Sequence, residues 1–412
     1  MWATSAFLRN AAMSTEALPA DSARRTRHLV LAGAGHAHVH VLQALAGGLA
    51  KNTVGSNQHS GSQDDSSDIL ITLVSPHRRQ LYSGMVPGFV AGHYELDQCF
   101  IPLDRLLAGS RIRFVQSSAV SLNAANRTLV LANGTTLPYT WLSLNTGPVM
   151  DRQKIEAAMP GAREHALFVR PIEVFGKLWP AVAQMGRRKS LHLAVVGAGA
   201  AGLELAMAAA YALSGKTGQP DCRVSLITGG GPVAKSYTSA AQARVMRALQ
   251  RLNVSVVHDT CVEIGAGHLL LASGAQLACD APLLALGAQA PAWLADSGLG
   301  LDVDGFVSVN ACQQSLSHAD VFATGDVASR IDSPCPKSGV YAVRAGPPLL
   351  ANLQSVLLGQ RLKPWQPPRR TLNLLSCGER YAVATWGAVS LEGRWVWRWK
   401  DWIDRRFVNQ YR

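Results

Sequence analysis

The sequence predicts an α/β fold with two Rossmann-type dinucleotide-binding domains and a small C-terminal extension. Three observations predict it. A glycine-rich turn follows a short apolar strand and opens a helix at residues 28–46, and again at 191–213. After each turn come a second apolar strand, hairpin-like strands and a strand ending in glycine, so one plan runs twice along the chain. Strands alternating with helices are the pattern of parallel sheets covered by helices.

The elements follow in order. Residues 28–46 read HLVLAGAGHAHVHVLQALA: strand, Gly turn, helix. Residues 47–68 are rich in Gly, Ser, Asn, Gln and Asp and read as a surface loop. The run ILITLV at 69–74 is the next strand. Strands at 111–116 and 127–131 follow, the latter closed by Asn133-Gly134, a hairpin signal. A strand at 142–145 ends at Thr146-Gly147. Residues 151–190 carry Pro160, Gly161, Pro171 and Pro180 and read as a connection with helical pieces. The second unit begins at Leu191, with further strands at 223–228, 254–258, 269–272 and 281–286, the last before Gly287. A final strand at 321–323 ends at Thr324-Gly325-Asp326. The resulting division is an N-terminal extension (1–26, read as disordered), a first domain in two parts (27–150 and 290–350), a second domain (151–289) and a C-terminal domain (351–412).

Composition limits the function classes. In 412 residues, 48% apolar and 16% charged mark a globular chain with room for large cores. The net charge of +12 attracts phosphate-bearing ligands or anionic lipid. The basic residues are dispersed and no RNA- or DNA-binding motif is present, so nucleic acid is not an expected partner. The seven cysteines are odd in number and form neither CxxC nor CxxxxC. That excludes a disulfide framework and a zinc pattern, and sets a reducing, cytoplasmic compartment as the expectation. The first residues lack the apolar core of a secretory signal. Residues 1–13 hold Arg9 and no acid, which leaves a transit-type segment, a start at Met13 or a plain extension open. Residues 193–213 are long enough to span a bilayer. They contain Glu204 and the glycine turn, however, and a buried strand followed by a buried helix accounts for them better.

Gly197-Ala198-Gly199-Ala200-Ala201-Gly202 is a complete GxGxxG in the strand–turn–helix context that gives the pattern meaning. Gly197 permits the tight turn, Gly199 lets a pyrophosphate approach the backbone, and Gly202 allows close helix–strand packing. The helix start then offers free N–H groups and a positive dipole end to phosphate. Gly33-Ala34-Gly35-His36-Ala37-His38 keeps the first two glycines in the same roles and replaces the third by His38, which puts the close packing in question. His36 and His40 share a helical face, but no carboxylate or third ligand lies nearby, so no metal site is expected. The acid that would bind a ribose 2′-OH is missing after each second strand, where Ser75 and Thr228-Gly229 stand. Arg244 and Arg247 lie too far along to be assigned to a 2′-phosphate.

The two fingerprints, about 160 residues apart, and the late run Ala323-Thr324-Gly325-Asp326-Val327-Ala328 resemble the pyridine nucleotide-disulfide oxidoreductase superfamily over roughly residues 27–350. The resemblance implies FAD at Gly33, Gly35, His36, Ala37 and His38, and NAD(P)H at Gly197, Gly199 and Gly202. It sets Gly325 and Asp326 against the flavin's ribityl–phosphate region, and Thr146-Gly147 and Leu286-Gly287 at the connections between domains. Three runs, Leu81–Gly88, Tyr341–Pro347 and Trp397–Asp404, are similar to the branch holding the type II NADH dehydrogenases and the flavoprotein found alone or fused to selenophosphate synthetase. That branch carries a histidine after the second glycine, as His36 does here. It implies Tyr82, Ser83 and Gly84 along the flavin ring and Lys337 at the ring's quinone-like end. Glu204 would lie near the nicotinamide–flavin contact, or act only as an acid complementing the helix dipole.

The family's disulfide reductases carry CxxxxC soon after the first fingerprint, but residues 75–92 contain no cysteine. The resemblance therefore implies an FAD-dependent NAD(P)H dehydrogenase passing a hydride from nicotinamide C4 to flavin N5, and electrons onward to a small acceptor such as a quinone. Two alternatives stay open. One is a sulfide:quinone reductase-like enzyme using Cys335, beside Pro336 and Lys337. The other is a non-catalytic or sensor-type FAD-binding protein, which His38 and the missing acids would suit. The choice between NADH and NADPH also stays open.

At the C-terminus, residues 394–400 alternate tryptophan with other residues, as a strand would. From Trp399 onward, Trp399, Trp402, Ile403 and Phe407 fall on one helical face, with Lys400, Arg405 and Arg406 around its rim. A basic, aromatic face suits a peripheral site on the inner face of a membrane. The same stripe suits docking onto the first domain or onto a homodimer partner.

Overall fold

Strands covered by helices on both sides must be apolar throughout, and Leu29, Val30, Leu31 and Ala32 are accordingly all fully buried. A computed structural model describes residues 27–49, 69–214 and 221–412. The N-terminal extension 1–26 and residues 50–68 of the expected loop lie outside the described residues. The first unit runs β1 (Arg27–Ala32), α1 (His36–Ala44), β2 (Ile69–Ser75), β3 (Arg113–Gln116) and β4 (Trp141–Leu144). The second runs β5 (Leu167–Phe168), β6 (His192–Val196), α2 (Ala200–Leu213), β7 (Arg223–Ile227), β8 (Val254–Val257) and β9 (Ala281–Leu284). β10 (Val321–Ala323) then returns to the first sheet.

Both sheets are parallel and share one plan, in the order β10-β4-β1-β2-β3 and β5-β9-β6-β7-β8. Each unit also carries a three-stranded antiparallel meander, at 119–138 and at 261–278, with a bulge after Ala119 in one and Cys261 in the other. The hairpin signal at Asn133-Gly134 is met by a turn with Gly134 at φ +82°, and Gly274 repeats it at +84°.

The end of the first helix departs from the sequence expectation. α1 continues through a wider π-type turn, Leu45–Leu49, where a loop is expected to begin. The expected connection at 151–190 contains a 17-residue helix, Ile172–Arg188, that runs through Pro180. The residue four before it, Gly176, has no side chain to crowd the ring, and the helix buries Phe175 and Trp179 on one side.

After α3 (Gly339–Arg344) and α4 (Gly346–Leu357) the chain forms a three-stranded antiparallel sheet, β11 (Leu372–Ser376), β12 (Ala382–Trp386) and β13 (Val389–Gly393). The last helix, α5 (Arg394–Gln410), packs on it. This corrects the strand expected at 394–400. The alternating tryptophans do not set the structure there. Val396, Lys400, Asp404 and Val408 recur every fourth residue and are the buried positions, which is a helical spacing. Trp397 faces inward, while Trp395, Trp399 and Trp402 face out. Among the described residues no helix is long and apolar enough to cross a membrane; the run 193–213 is β6 followed by α2.

Candidate functional site

In each sheet the glycine turn leaves the carboxyl end of the central strand. Gly33 takes φ +87° and Gly197 +116°, a region only glycine enters freely. Gly33 N–H donates to Val74 O at 2.8 Å and Gly197 N–H to Ile227 O at 2.9 Å, which ties each turn to the neighbouring strand. Neither α1 nor α2 has a side-chain cap or an acid in its first turn. Neither helix therefore supplies its own counter-charge to its positive end.

The two turns differ in what surrounds the second glycine. A Cβ on Gly199 would meet nothing within 4 Å, so the backbone there is open to close approach. A Cβ on Gly35 would collide with the Asn145 side chain. Gly35 is thus required by Asn145, a constraint beyond the role the fingerprint assigns it. Ala285 stands at the matching place in the second unit, and its methyl leaves the space free. Asn145 Oδ1 accepts the His38 N–H at 3.1 Å, and its Nδ2 donates to Thr324 O at 2.8 Å.

The third glycine behaves as predicted in the second unit, where a Cβ on Gly202 would run into the Gly197 carbonyl. In the first unit His38 is fully buried and bridges the same gap by hydrogen bonds, Nδ1 to Gly33 O at 2.6 Å and Nε2 to Ser143 Oγ at 2.8 Å. Helix and strand are joined through a ring instead of by direct contact. Burial pushes the pKa of His38 down to about 4, against the pull of the Gly33 carbonyl. Burial, reinforced by Arg170, does the same to His36. Ala37, between them, is fully buried. Among the described residues no cluster of three His, Cys, Asp or Glu could hold a metal.

Gly147 (φ +72°) and Gly287 are open on the side a Cβ would occupy. Thr146 is half-buried, its hydroxyl 3.5 Å from Gly147 O. Gly325 takes φ +69° against Asn145. Burial raises the pKa of Asp326, with Arg170 and Lys337 opposing. Lys337 Nζ donates to Ala328 O at 2.6 Å and lies 3.7 Å from the Phe306 ring centre. Asp326, Lys337, Cys335 and Tyr341 line one small cavity. All seven cysteines are free thiols, and Cys335 Sγ donates to Ser333 O at 3.2 Å.

Tyr82, Ser83 and Gly84 lie at a second locus. The Tyr82 ring packs 5.2 Å from His36 and 4.7 Å from Phe407, so the first turn, this run and α5 meet. Ser83 Oγ approaches Gly339, at the start of α3. Glu204 Oε1 accepts the Ser376 N–H at 2.8 Å. Burial pushes its carboxyl up to about 7, with Lys400 and that hydrogen bond pulling the other way. Lys400, expected on the rim of the terminal helix, is buried and paired with Asp404. Asn145, Arg170 and Asp404 join these loci without having been expected from the sequence. For Asp404 a signal existed, the Lys–Asp spacing of four that marks a helical ion pair. Asn145 has partners at 38 and 324, which no local pattern shows. Arg244 and Arg247 face Glu392 of the C-terminal sheet, at 3.7 and 2.6 Å.

Nine buried side-chain polar atoms among the described residues have no hydrogen-bond partner, and three of them flank the turns described above: His36 Nε2 at the first turn, Thr228 Oγ1 after β7 and Ser338 Oγ before α3. Each of these three is a group that a bound ligand could satisfy.

Two five-stranded parallel sheets, each with a glycine turn after its central strand, define a protein of the twin Rossmann-type class. The chain belongs to the pyridine nucleotide-disulphide oxidoreductase family, which residues 28–346 match. Ferroptosis suppressor protein 1 of Xenopus tropicalis is 24% identical over 293 residues, 68% of this chain and 72% of that protein. The sulfide:quinone oxidoreductase of Aquifex aeolicus superimposes with a TM-score of 0.74 at 16% identity, covering 94% of this chain and 91% of the other. NDH2 of Plasmodium falciparum, solved in complex with NADH, gives 0.72 at 14% identity, covering 94% and 99%. By family, then, the chain is an oxidoreductase of the kind that pairs a flavin with a pyridine nucleotide.

Proposed function

We propose that the protein is an FAD-dependent NAD(P)H dehydrogenase that passes electrons to a small acceptor of the quinone class without a redox disulfide. The observation that carries this is the pair of glycine turns, each opening onto an uncapped, acid-free helix start with an unpartnered buried polar atom nearby. In this reading residues 27–150 and 290–350 hold FAD and residues 151–289 hold NAD(P)H. His36, Ser338, Gly325 and Asp326 fit a flavin dinucleotide, and the open space at Gly199 and Thr228 Oγ1 fit the nicotinamide nucleotide. When bound, FAD supplies the two-electron chemistry.

The chain's own part is to bind, orient and manage protons. Tyr82, Ser83 and Gly84 line the ring. Glu204, with a pKa of about 7, can hold or release a proton near neutral pH beside the place where nicotinamide would arrive. Lys337 is anchored beside Asp326 and lends positive charge there. The NADH complex of one structural neighbour supports the nucleotide assignment, and the quinone in the other's name supports the acceptor class.

The exposed Trp395, Trp399 and Trp402, flanked by Arg394, Arg398 and Arg406, support a peripheral membrane site, where a quinone would be met. A second reading, sulfide oxidation, is favoured by Cys335 lining the cavity beside Asp326. Steady-state assays with a water-soluble quinone test both. Quinone-dependent consumption of NAD(P)H supports the proposal. Quinone reduction by sulfide and not by NAD(P)H would replace it with the second reading.

A further inference from the structure

Three remote parts of the chain meet around one buried cation. Lys400 on α5 is 7% exposed and Asp404, one turn on, is 5% exposed. Lys400 Nζ donates to Asp404 Oδ2 at 2.6 Å and to the Gly84 carbonyl at 2.7 Å. The other oxygen, Oδ1, accepts the Tyr82 hydroxyl at 3.3 Å. The Tyr82 ring folds over Gly84 so closely that a Cβ at 84 would lie 2.8 Å from it. Burial works against the Lys400 ammonium, yet Asp404 and Glu204 hold its pKa above the ordinary lysine value. The cation therefore stays charged.

A buried ion pair is a weak source of stability. Desolvation offsets most of the attraction, and apolar residues of similar volume often serve as well. What apolar residues would not supply is direction. Here the pair's remaining hydrogen-bonding capacity is aimed at one carbonyl and one hydroxyl, both in the run Tyr82-Ser83-Gly84, which lies over 300 positions away in sequence.

We propose that Lys400 and Asp404 are positioning residues for this run: they hold the Gly84 carbonyl and the Tyr82 hydroxyl, and so make the terminal helix part of the redox site. The inference rests on the reading that Tyr82–Gly84 lines a bound flavin. Neither residue touches the cofactor; both act through the run. Lys400 also lowers the pKa of Glu204. Removing the cation moves that pKa further up.

The test uses the full chain loaded with FAD, as K400M, D404N, K400R and the double variant K400M/D404L. Three quantities are read: FAD dissociation followed by flavin fluorescence, the pH profile of flavin reduction by NAD(P)H, and the thermal midpoint. K400M and D404N each weaken FAD binding roughly tenfold or more, the size of one lost charge-assisted hydrogen bond. K400M shifts the pH profile upward, and K400R restores both readouts toward wild type. The double variant keeps its midpoint but retains the weakened FAD binding. A double variant that holds FAD as tightly as wild type, with an unshifted profile, overturns the proposal and leaves the pair structural. So does one that unfolds. A wild-type protein that binds FAD but is not reduced by NAD(P)H refutes the dehydrogenase reading, while the comparison of FAD affinities still decides this one. A wild-type protein that takes up no FAD overturns both.

Discussion

Asn145 Oδ1 accepts the backbone N–H of His38 at 3.1 Å, and the same side chain donates to Thr324 O at 2.8 Å. One buried amide thus ties the first glycine turn to the end of β10 and sets the crowding at Gly35. Asn145→Ala leaves two buried backbone groups unpaired, and His38→Gly leaves the buried Ser143 hydroxyl unpaired although it restores the third glycine of the fingerprint. Each is expected to cost about 1–3 kcal/mol. Chemical denaturation checks this; a His38→Gly protein as stable as wild type contradicts the bridging role of the ring.

The second fingerprint separates binding from folding. Gly199→Ala points a methyl into open space, so the thermal midpoint should hold while NAD(P)H affinity falls. Gly202→Ala drives a methyl into the Gly197 carbonyl and should destabilise the whole unit. Calorimetry and nucleotide titration on both variants give the comparison. Equal loss of stability in the two would show that the space at Gly199 has no special role.

Much of this was legible in the sequence, because a glycine turn between an apolar strand and a helix is a local signal. Its repetition marks the two parallel units, while the order of strands within each sheet is set by pairings between distant parts of the chain. The terminal helix was not legible in the same way. Tryptophans at 395, 397 and 399 imitate a strand, and the helix is decided by Val396, Lys400, Asp404 and Val408, whose partners include Gly84 and strands of the C-terminal sheet. Asn145 was hidden for the same reason: at the end of a strand it looks ordinary, and its partners lie far off along the chain.

Glu204 gives the stability a pH dependence of known sign. Its carboxyl titrates near 7 in the folded protein and at 4.5 in the free side chain. Between those values the folded state holds a proton that the unfolded state has lost, so this group lowers stability as pH rises through the window, and the loss is complete above about 7. Glu204→Gln removes the slope. Denaturation midpoints should show the variant gaining on wild type above pH 7, with the gain vanishing below pH 4.5. A gain confined to acid pH contradicts the assignment.

The outward face of α5 carries Trp395, Trp399 and Trp402, the first two stacked at 6.4 Å, with Arg406 over Trp402 at 5.2 Å. Replacing Trp399 and Trp402 by Gln removes exposed apolar surface and leaves the buried stripe intact. Sedimentation with anionic liposomes should show binding reduced severalfold, and more strongly at high salt. Binding equal to wild type assigns the face to a protein partner.

In the proposed function, two nucleotide sites in one chain communicate through electrons. Anaerobic mixing of the FAD-loaded protein with NADH, and separately with NADPH, tests it most directly, with the flavin absorbance followed in time. At least one nucleotide is expected to bleach the yellow colour, and Gly199→Ala to slow the bleaching at low nucleotide concentration. A flavin that stays yellow with an excess of both nucleotides contradicts it.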